Sequence, residues 1–335
     1  MAGKPLELSR PIRIQGKSIV LRGRSGERCE WSIGGADFAP DGGVFELGAG
    51  GSLRLENLRA DVEAKAGAEN VALFRGGDGS KVELMRSEVL VNRTSRHSAP
   101  VFAPASDGMA MGPAAEPPRF RLEKTDLRTA GAVLAADPGQ AWSLAAEESV
   151  LGAEQPALRI AGRFDRRGLS LRNTATLLHC TLLMTKGLLS LDPQGGTETP
   201  ATVQIAADDS AFFNLARGGE PLVDIQPTTA GRSLMSPEDL VSWTGAWNAI
   251  VGFAAPMRLP DRSATMAGGT PKSRMLKFPE WVDARLLQKD RYFFSEGAPD
   301  FLAGTWERTP AAAELTAAVP GLALQFGARK AGASL

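Results

Sequence analysis

Short runs of alternating apolar and polar residues recur along this chain, each closed by a Gly, Asp or Pro turn. One series is Val44–Leu47, Val71–Phe74, Val101–Phe102, Val133–Leu134, Leu158–Ile160, Leu188–Leu191 and Leu222–Ile225, with starts 27, 30, 32, 25, 30 and 34 residues apart. A second series follows after a turn: Leu53–Leu55, Val82–Leu84, Phe120–Leu122, Trp142–Leu144, Leu169–Leu171 and Val203–Ile205. Each places a polar or small residue between two apolar ones, the period of a strand with one buried face. A looser third series contains Leu58, Val89–Val91, Leu127, Val150–Leu151, Cys180–Leu182 and Ala211–Phe213. Asn57, Ser87, Thr125, Ser149, Cys180 and Ser210 sit just before or within it, where small polar side chains can satisfy the backbone of a bend.

Three short strands per repeat, at a varying period near 30, describe a coil that cannot close a core alone. Stacked coils align like strands into parallel ladders around one apolar interior. The expected fold is therefore all-β: a right-handed parallel β-helix with three strands per coil and a C-terminal capping extension. An antiparallel sandwich would also show many short strands, but it calls for tight hairpin turns, and Asn-Gly dipeptides are absent. Coils are expected over residues 4–227. The last coils and a Trp-rich cap are expected over 228–335, with a helix near Phe278 to Asp290. The longest insertion runs from His97 to Pro118, and another turn spans Pro193 to Thr199. No amphipathic cap helix precedes the first coil, so its edge is expected to be covered by more of a longer protein or by a second copy.

Composition narrows the partners. Lys+Arg and Asp+Glu both number 38, which gives no basic surface for nucleic acid or an anionic membrane. A neutral chain has little charge repulsion against self-association through its solenoid ends. No stretch is long and apolar enough to span a bilayer, so no direct membrane insertion is expected, and the first residues carry no signal peptide. Cys29 and Cys180 are too few for a disulfide framework and read as reduced core residues.

The order of runs over residues 4 to 227 resembles the pectate-lyase-like superfamily of right-handed β-helices. More narrowly, the chain resembles the β-helix region of planctomycete-type membrane-bound serine/threonine protein kinases. The residues carrying this likeness are Leu178-His179-Cys180-Thr181-Leu182, Gly187-Leu188-Leu189-Ser190-Leu191, Ser210-Ala211-Phe212-Phe213, Pro221-Leu222-Val223-Asp224-Ile225, Trp243 and Trp247-Asn248. The resemblance implies an extracytoplasmic, non-catalytic part of a larger protein. The kinase signatures themselves, His-Arg-Asp and Asp-Phe-Gly, are missing here.

Candidate chemistry is sparse. Asp208-Asp209 could pair as hydrolase carboxylates, but the companion motifs of pectin hydrolases are absent and a solvated bend is the plainer reading. Asp165 and Arg166 offer the charges of a calcium-assisted lyase, yet calcium wants several converging oxygens and only one carboxylate is local. His179 and Cys180 are neighbours that point to opposite sides, so they do not form a nucleophile–base pair. Gly76–Ser80 lacks the lysine and helix of a phosphate loop. Trp142, Trp243, Trp247, Trp281 and Trp306 could stack on sugar rings, with Trp243, Trp247 and Asn248 the first candidates for a ligand site; the plainer reading is core or cap. No metal site and no cofactor is expected. The sequence thus points to a binding or scaffold solenoid with a glycan or protein partner, with a carbohydrate-active enzyme (polysaccharide lyase or glycosidase) as the alternative.

Overall fold

The computed structural model describes residues 5–24, 27–35, 37–39, 42–105, 116–163, 172–194, 202–216, 219–226, 240–261, 272–285, 287–288 and 291–296. Numbered in chain order, the strands fall into three sheets. Sheet A holds β1 (Leu6–Leu8), β4 (Arg28–Ile33), β7 (Arg59–Ala64), β10 (Glu88–Val91), β13 (Asp126–Thr129), β16 (Val150–Ala153), β19 (Thr181–Met184), β22 (Ala211–Asn214), β25 (Asn248–Val251) and β28 (Tyr292–Ser295). Sheet B holds β2 (Ile12–Ile14), β5 (Gly43–Leu47), β8 (Ala72–Gly76), β11 (Phe102–Pro104), β14 (Leu134–Ala136), β17 (Leu158–Arg163), β20 (Leu189–Gln194), β23 (Val223–Ile225), β26 (Met257–Asp261) and β27 (Lys272–Leu276). Sheet C holds β3 (Ser18–Arg22), β6 (Ser52–Glu56), β9 (Lys81–Met85), β12 (Arg119–Glu123), β15 (Ser143–Glu147), β18 (Arg172–Leu178), β21 (Thr202–Asp208) and β24 (Val241–Thr244).

The chain visits A, B and C in turn, and each strand pairs in parallel with its counterpart one coil on; β26–β27 is antiparallel. This is a parallel β-helix with three strands per coil, as the repeat predicts. The longest insertion contains a strand of its own, β11, built on Phe102.

The alternation explains the interior. Leu53 and Leu55, Val82 and Leu84, Phe120 and Leu122 are buried and stack in register through sheet C. On the side of sheet B, Phe45, Phe74 and Phe102 form a ring stack with centroids 5.6 and 5.4 Å apart. Identical side chains at one register position meet because each coil repeats the last about 4.8 Å further along.

The three corners differ. Between C and A the turn from β6 through β22 is two residues long, and its first residue has positive φ: Asn57, Arg86, Lys124, Glu148, His179 and Asp209, between 47° and 53°. The second residue turns inward, giving a buried column of Ser87, Thr125, Ser149, Cys180, Ser210 and, at the next coil, Asn248. Ser87 Oγ accepts from Leu58 N, Ser149 Oγ from Thr125 N, Ser210 Oγ from Cys180 N and Asn248 Oδ1 from Ser210 N, all at 3.1 Å. The corner residues singled out by their polarity are thus a hydrogen-bonded ladder inside the solenoid. By contrast, the B-to-C corner carries the longest insertions.

The two ends also differ. Beyond β24, helix α1 (Phe278–Ala284) crosses the open interior in place of another C strand. Pro279 starts the helix where no backbone donor is needed, and Trp281 and Val282 are buried, with Trp281 against Trp243 and Tyr292. At the other end the first coil has no such cover among the described residues. Leu6, Ile12 and Leu21 occupy inward register positions, beside Trp31, Phe45 and Leu55, yet are 55%, 37% and 38% exposed.

Candidate functional site

The outward positions of sheet B form a column along the solenoid: Arg13, Glu46, Arg75, Ala103, then Ala135, Arg159, Ser190, Asp224 and Arg258. Phe102 pairs with Leu134, which sets Ala103 beside Ala135. Near its two ends the column is charge-paired. Arg13 Nε donates to Glu46 at 3.1 Å, and Arg258 Nε donates to Asp224 at 2.6 Å. The guanidinium of Arg258 is raised above its ordinary pKa chiefly by that bond to Asp224.

In the middle of the column the side chains are shorter. Two alanines replace charged side chains, so the sheet sinks between Arg75 and Arg159. The result is a groove of 340 Å³ whose lining includes Arg75, Ala103, Ala135, Arg159, Asp137 and Gln140. Arg75 and Arg159 stand three ladder steps apart, roughly 14 Å along the solenoid. Asp137 is held at the rim by a closed turn: its N–H donates to Gln140 Oε1 at 2.8 Å, and Gln140 N donates back to Asp137 O at 3.0 Å. Among the described lining residues, two guanidiniums and one carboxylate surround an alanine floor, a setting that suits a ligand that brings negative charge and lies close to the sheet. Among the described residues no aromatic ring lines the groove.

The residues singled out in the sequence lie elsewhere. Trp243 is 3% exposed and wedged between Phe212 and Trp281, with centroids at 5.5 and 5.6 Å. Asn248 is buried in the corner ladder, its Nδ2 donating to Ala207 O at 2.6 Å. Neither presents a surface to a ligand from solvent. Trp247 does: it is 43% exposed, has φ 58°, and lies 5.6 Å from the Arg291 guanidinium. Asp208 and Asp209 are both engaged at the C-to-A corner. Asp208 Oδ1 accepts from Ala246 N at 2.8 Å, and Asp209 Oδ2 meets His179 Nδ1 at 2.9 Å. They serve the bend, on the corner opposite sheet B, and do not join the groove. Asp165, Arg166 and Trp306 fall outside the described residues.

His179 and Cys180 point apart, His179 to the surface and Cys180 into the ladder. Burial pushes the Cys180 thiol up to about 12, which leaves it protonated and inert at neutral pH. Cys29 is half-buried and free, and its thiol is also raised, first by burial. Trp142 and Trp281 are fully buried. Among the described residues no group of three or more His, Cys, Asp or Glu could hold a metal ion, and no helix is long and apolar enough to cross a membrane.

The groove escaped the sequence reading because its defining residues are alanines. The signal was nonetheless present. The residue after the first inward apolar one, Ile12, Phe45, Phe74, Phe102, Leu134 and Leu158 in turn, is charged in Arg13, Glu46 and Arg75, small in Ala103 and Ala135, and charged again in Arg159. Comparison with known proteins finds no matching family model, no matching curated protein and no matching solved structure.

Proposed function

We propose that this chain is a non-catalytic binding solenoid whose ligand face is the outer side of sheet B, centred on the groove between Arg75 and Arg159. The groove carries this reading, because it joins concavity, a close-approach floor and, among the described residues, two guanidinium groups at one place. The likeness to the β-helix region of planctomycete-type kinases and to pectate-lyase-like solenoids supports a role outside the cytoplasm, within a larger protein, with a glycan or a protein as partner. Anionic polymers are the probe of choice: a polyuronate, a sulfated glycan and polyglutamate, with dextran as the neutral control, in affinity electrophoresis. Retardation by one or more anionic polymers is expected, lost in Arg159→Glu and in Ala135→Trp, which fills the floor. Equal mobility in all four gels would sink the proposal.

One observation favours a second reading, a polysaccharide lyase. Asp137 and Arg159 line the same groove from adjacent coils, supplying a carboxylate and a guanidinium. Release of unsaturated uronate ends, lost in Asp137→Asn, would establish that reading over the first. The absence of turnover together with retained binding would remove it.

A further inference from the structure

The outer face of sheet A changes character along the solenoid. In β4, β7 and β10 the outward side chains include Arg28, Glu30, Arg59, Asp61, Glu63 and Glu88, all partly or well exposed. Arg28 bonds Asp61 at 2.6 Å and also pairs with Glu88. From β16 onward the same positions are mostly apolar, with Thr181 and Ser295 the polar exceptions. Val150, Ala211 and Ala249 lie in one column, with the buried Thr181 between the first two, and Leu183, Phe213 and Val251 form the other. Those six apolar side chains belong to a hydrophobic cluster separate from the interior, and each is at most 4% exposed. A side chain on the outside of a solenoid is hidden to this degree only when another layer lies on it. Among the described residues, the strands of sheet A pair with one another and no helix or strand is layered over this face.

We propose that residues 297–335 of this same chain dock on the C-terminal half of the outer face of sheet A. Chain path selects this segment. The connections 106–115, 164–171, 195–201 and 227–239 all leave sheet B and enter sheet C, and 262–271 joins two strands of sheet B. Residues 297–335 instead follow β28, which pairs with β25 at the end of sheet A. From β16 to β28 the face is four ladder steps long, roughly 19 Å. A chain of 39 residues can cross that distance several times. Its composition fits an apolar face, with Phe301, Leu302, Trp306, Leu315, Val319 and Leu322 among few charges. Docking removes these side chains and those of the sheet from water together.

Thiol labelling of the full chain tests this. Leu183→Cys and Val251→Cys are expected to label at least about tenfold more slowly than Asp61→Cys on the open half of the sheet, an opening free energy of ~1.4 kcal/mol or more. A protease site inserted after Ala298 then releases the segment from the folded protein. With the β-sheet circular dichroism unchanged, labelling should become fast, and added peptide 297–335 should slow it again. Fast labelling in the intact chain, or slow labelling that survives removal of the segment, would overturn the proposal. Should cleavage disturb the fold, a photo-crosslinker at Phe213 of the intact chain decides instead. Crosslinks into 297–335 of the same molecule support the assignment, whereas crosslinks to a second molecule, or none into this segment, refute it.

Discussion

At the scale of single residues the corner ladder is the most constrained part of the molecule. Asn248 satisfies two buried backbone groups at once, the N–H of Ser210 and the carbonyl of Ala207. Asn248→Ala should therefore cost roughly 2–4 kcal/mol, read as a lower urea midpoint, since both groups stay buried without a partner. Cys180 occupies the position that Ser149 and Ser210 fill in neighbouring coils, so Cys180→Ser is expected within about 1 kcal/mol of the parent. That substitution also isolates a pH effect. The thiol titrates at an ordinary value of 9.0 when unfolded and at about 12 when folded. Below pH 9 both states hold the proton and the folded state keeps its full advantage. Between pH 9 and 12 the unfolded chain alone ionises, so stability falls by up to about 4 kcal/mol. Denaturant midpoints should drop more steeply over that range in the parent than in Cys180→Ser; equal slopes would refute the assignment. Sequence alone picked out Ser87, Thr125, Ser149, Cys180 and Ser210 as bend residues. It could not show that they hydrogen-bond to one another, because that depends on the vertical register of coils about 30 residues apart.

At the scale of elements, strand pattern was legible wherever one face is wet. The strands of sheet C alternate cleanly, as in Lys81-Val82-Glu83-Leu84-Met85, and spacing located most of them; in one coil it pointed to Leu169–Leu171, outside the described residues, whereas β18 spans Arg172–Leu178, where small Ala175 and polar Asn173 face inward and weaken the apolar signal. Sheet A was harder because Thr181-Leu182-Leu183-Met184 and Ala211-Phe212-Phe213-Asn214 are buried throughout. Loss of alternation in a short strand is itself the mark of burial on both faces, and it separates these strands from Arg59–Ala64, which is buried on one face and half-exposed on the other. The phenylalanine stack of sheet B supplies an element-scale test. Phe74 touches rings on both sides, so Phe74→Ala should cost about 3–5 kcal/mol in chemical denaturation. Among the tryptophans, sequence could not tell a sugar platform from a cap. Trp243 faces the interior of its coil whereas Trp247 faces outward, and the helix that carries Trp281 onto Trp243 has only seven residues, about two turns.

At the scale of the whole molecule the two ends are unequal. Trp281 and Val282 close one end, while Leu6, Ile12 and Leu21 leave the interior open at the other, and Val20 adds an outward apolar residue beside them. Edge strands carrying exposed apolar side chains are templates for association. Light scattering should show concentration-dependent association of this chain, and Leu21→Lys should suppress it by placing an ammonium group at the mouth of the interior. Unchanged association in that variant would exclude this end as the contact.

The unequal corners have a consequence for how the molecule can vary. A two-residue corner at positive φ, backed by a buried hydrogen bond, has no slack to accept an extra residue. The B-to-C corner already accommodates connections as different as 77–80 and 105–118 without disturbing the ladders on either side. Loops introduced there would hang from a rigid ruler graduated in steps of about 4.8 Å. The solenoid is in this sense a display rack, in which the spacing between two grafted loops is chosen by counting coils.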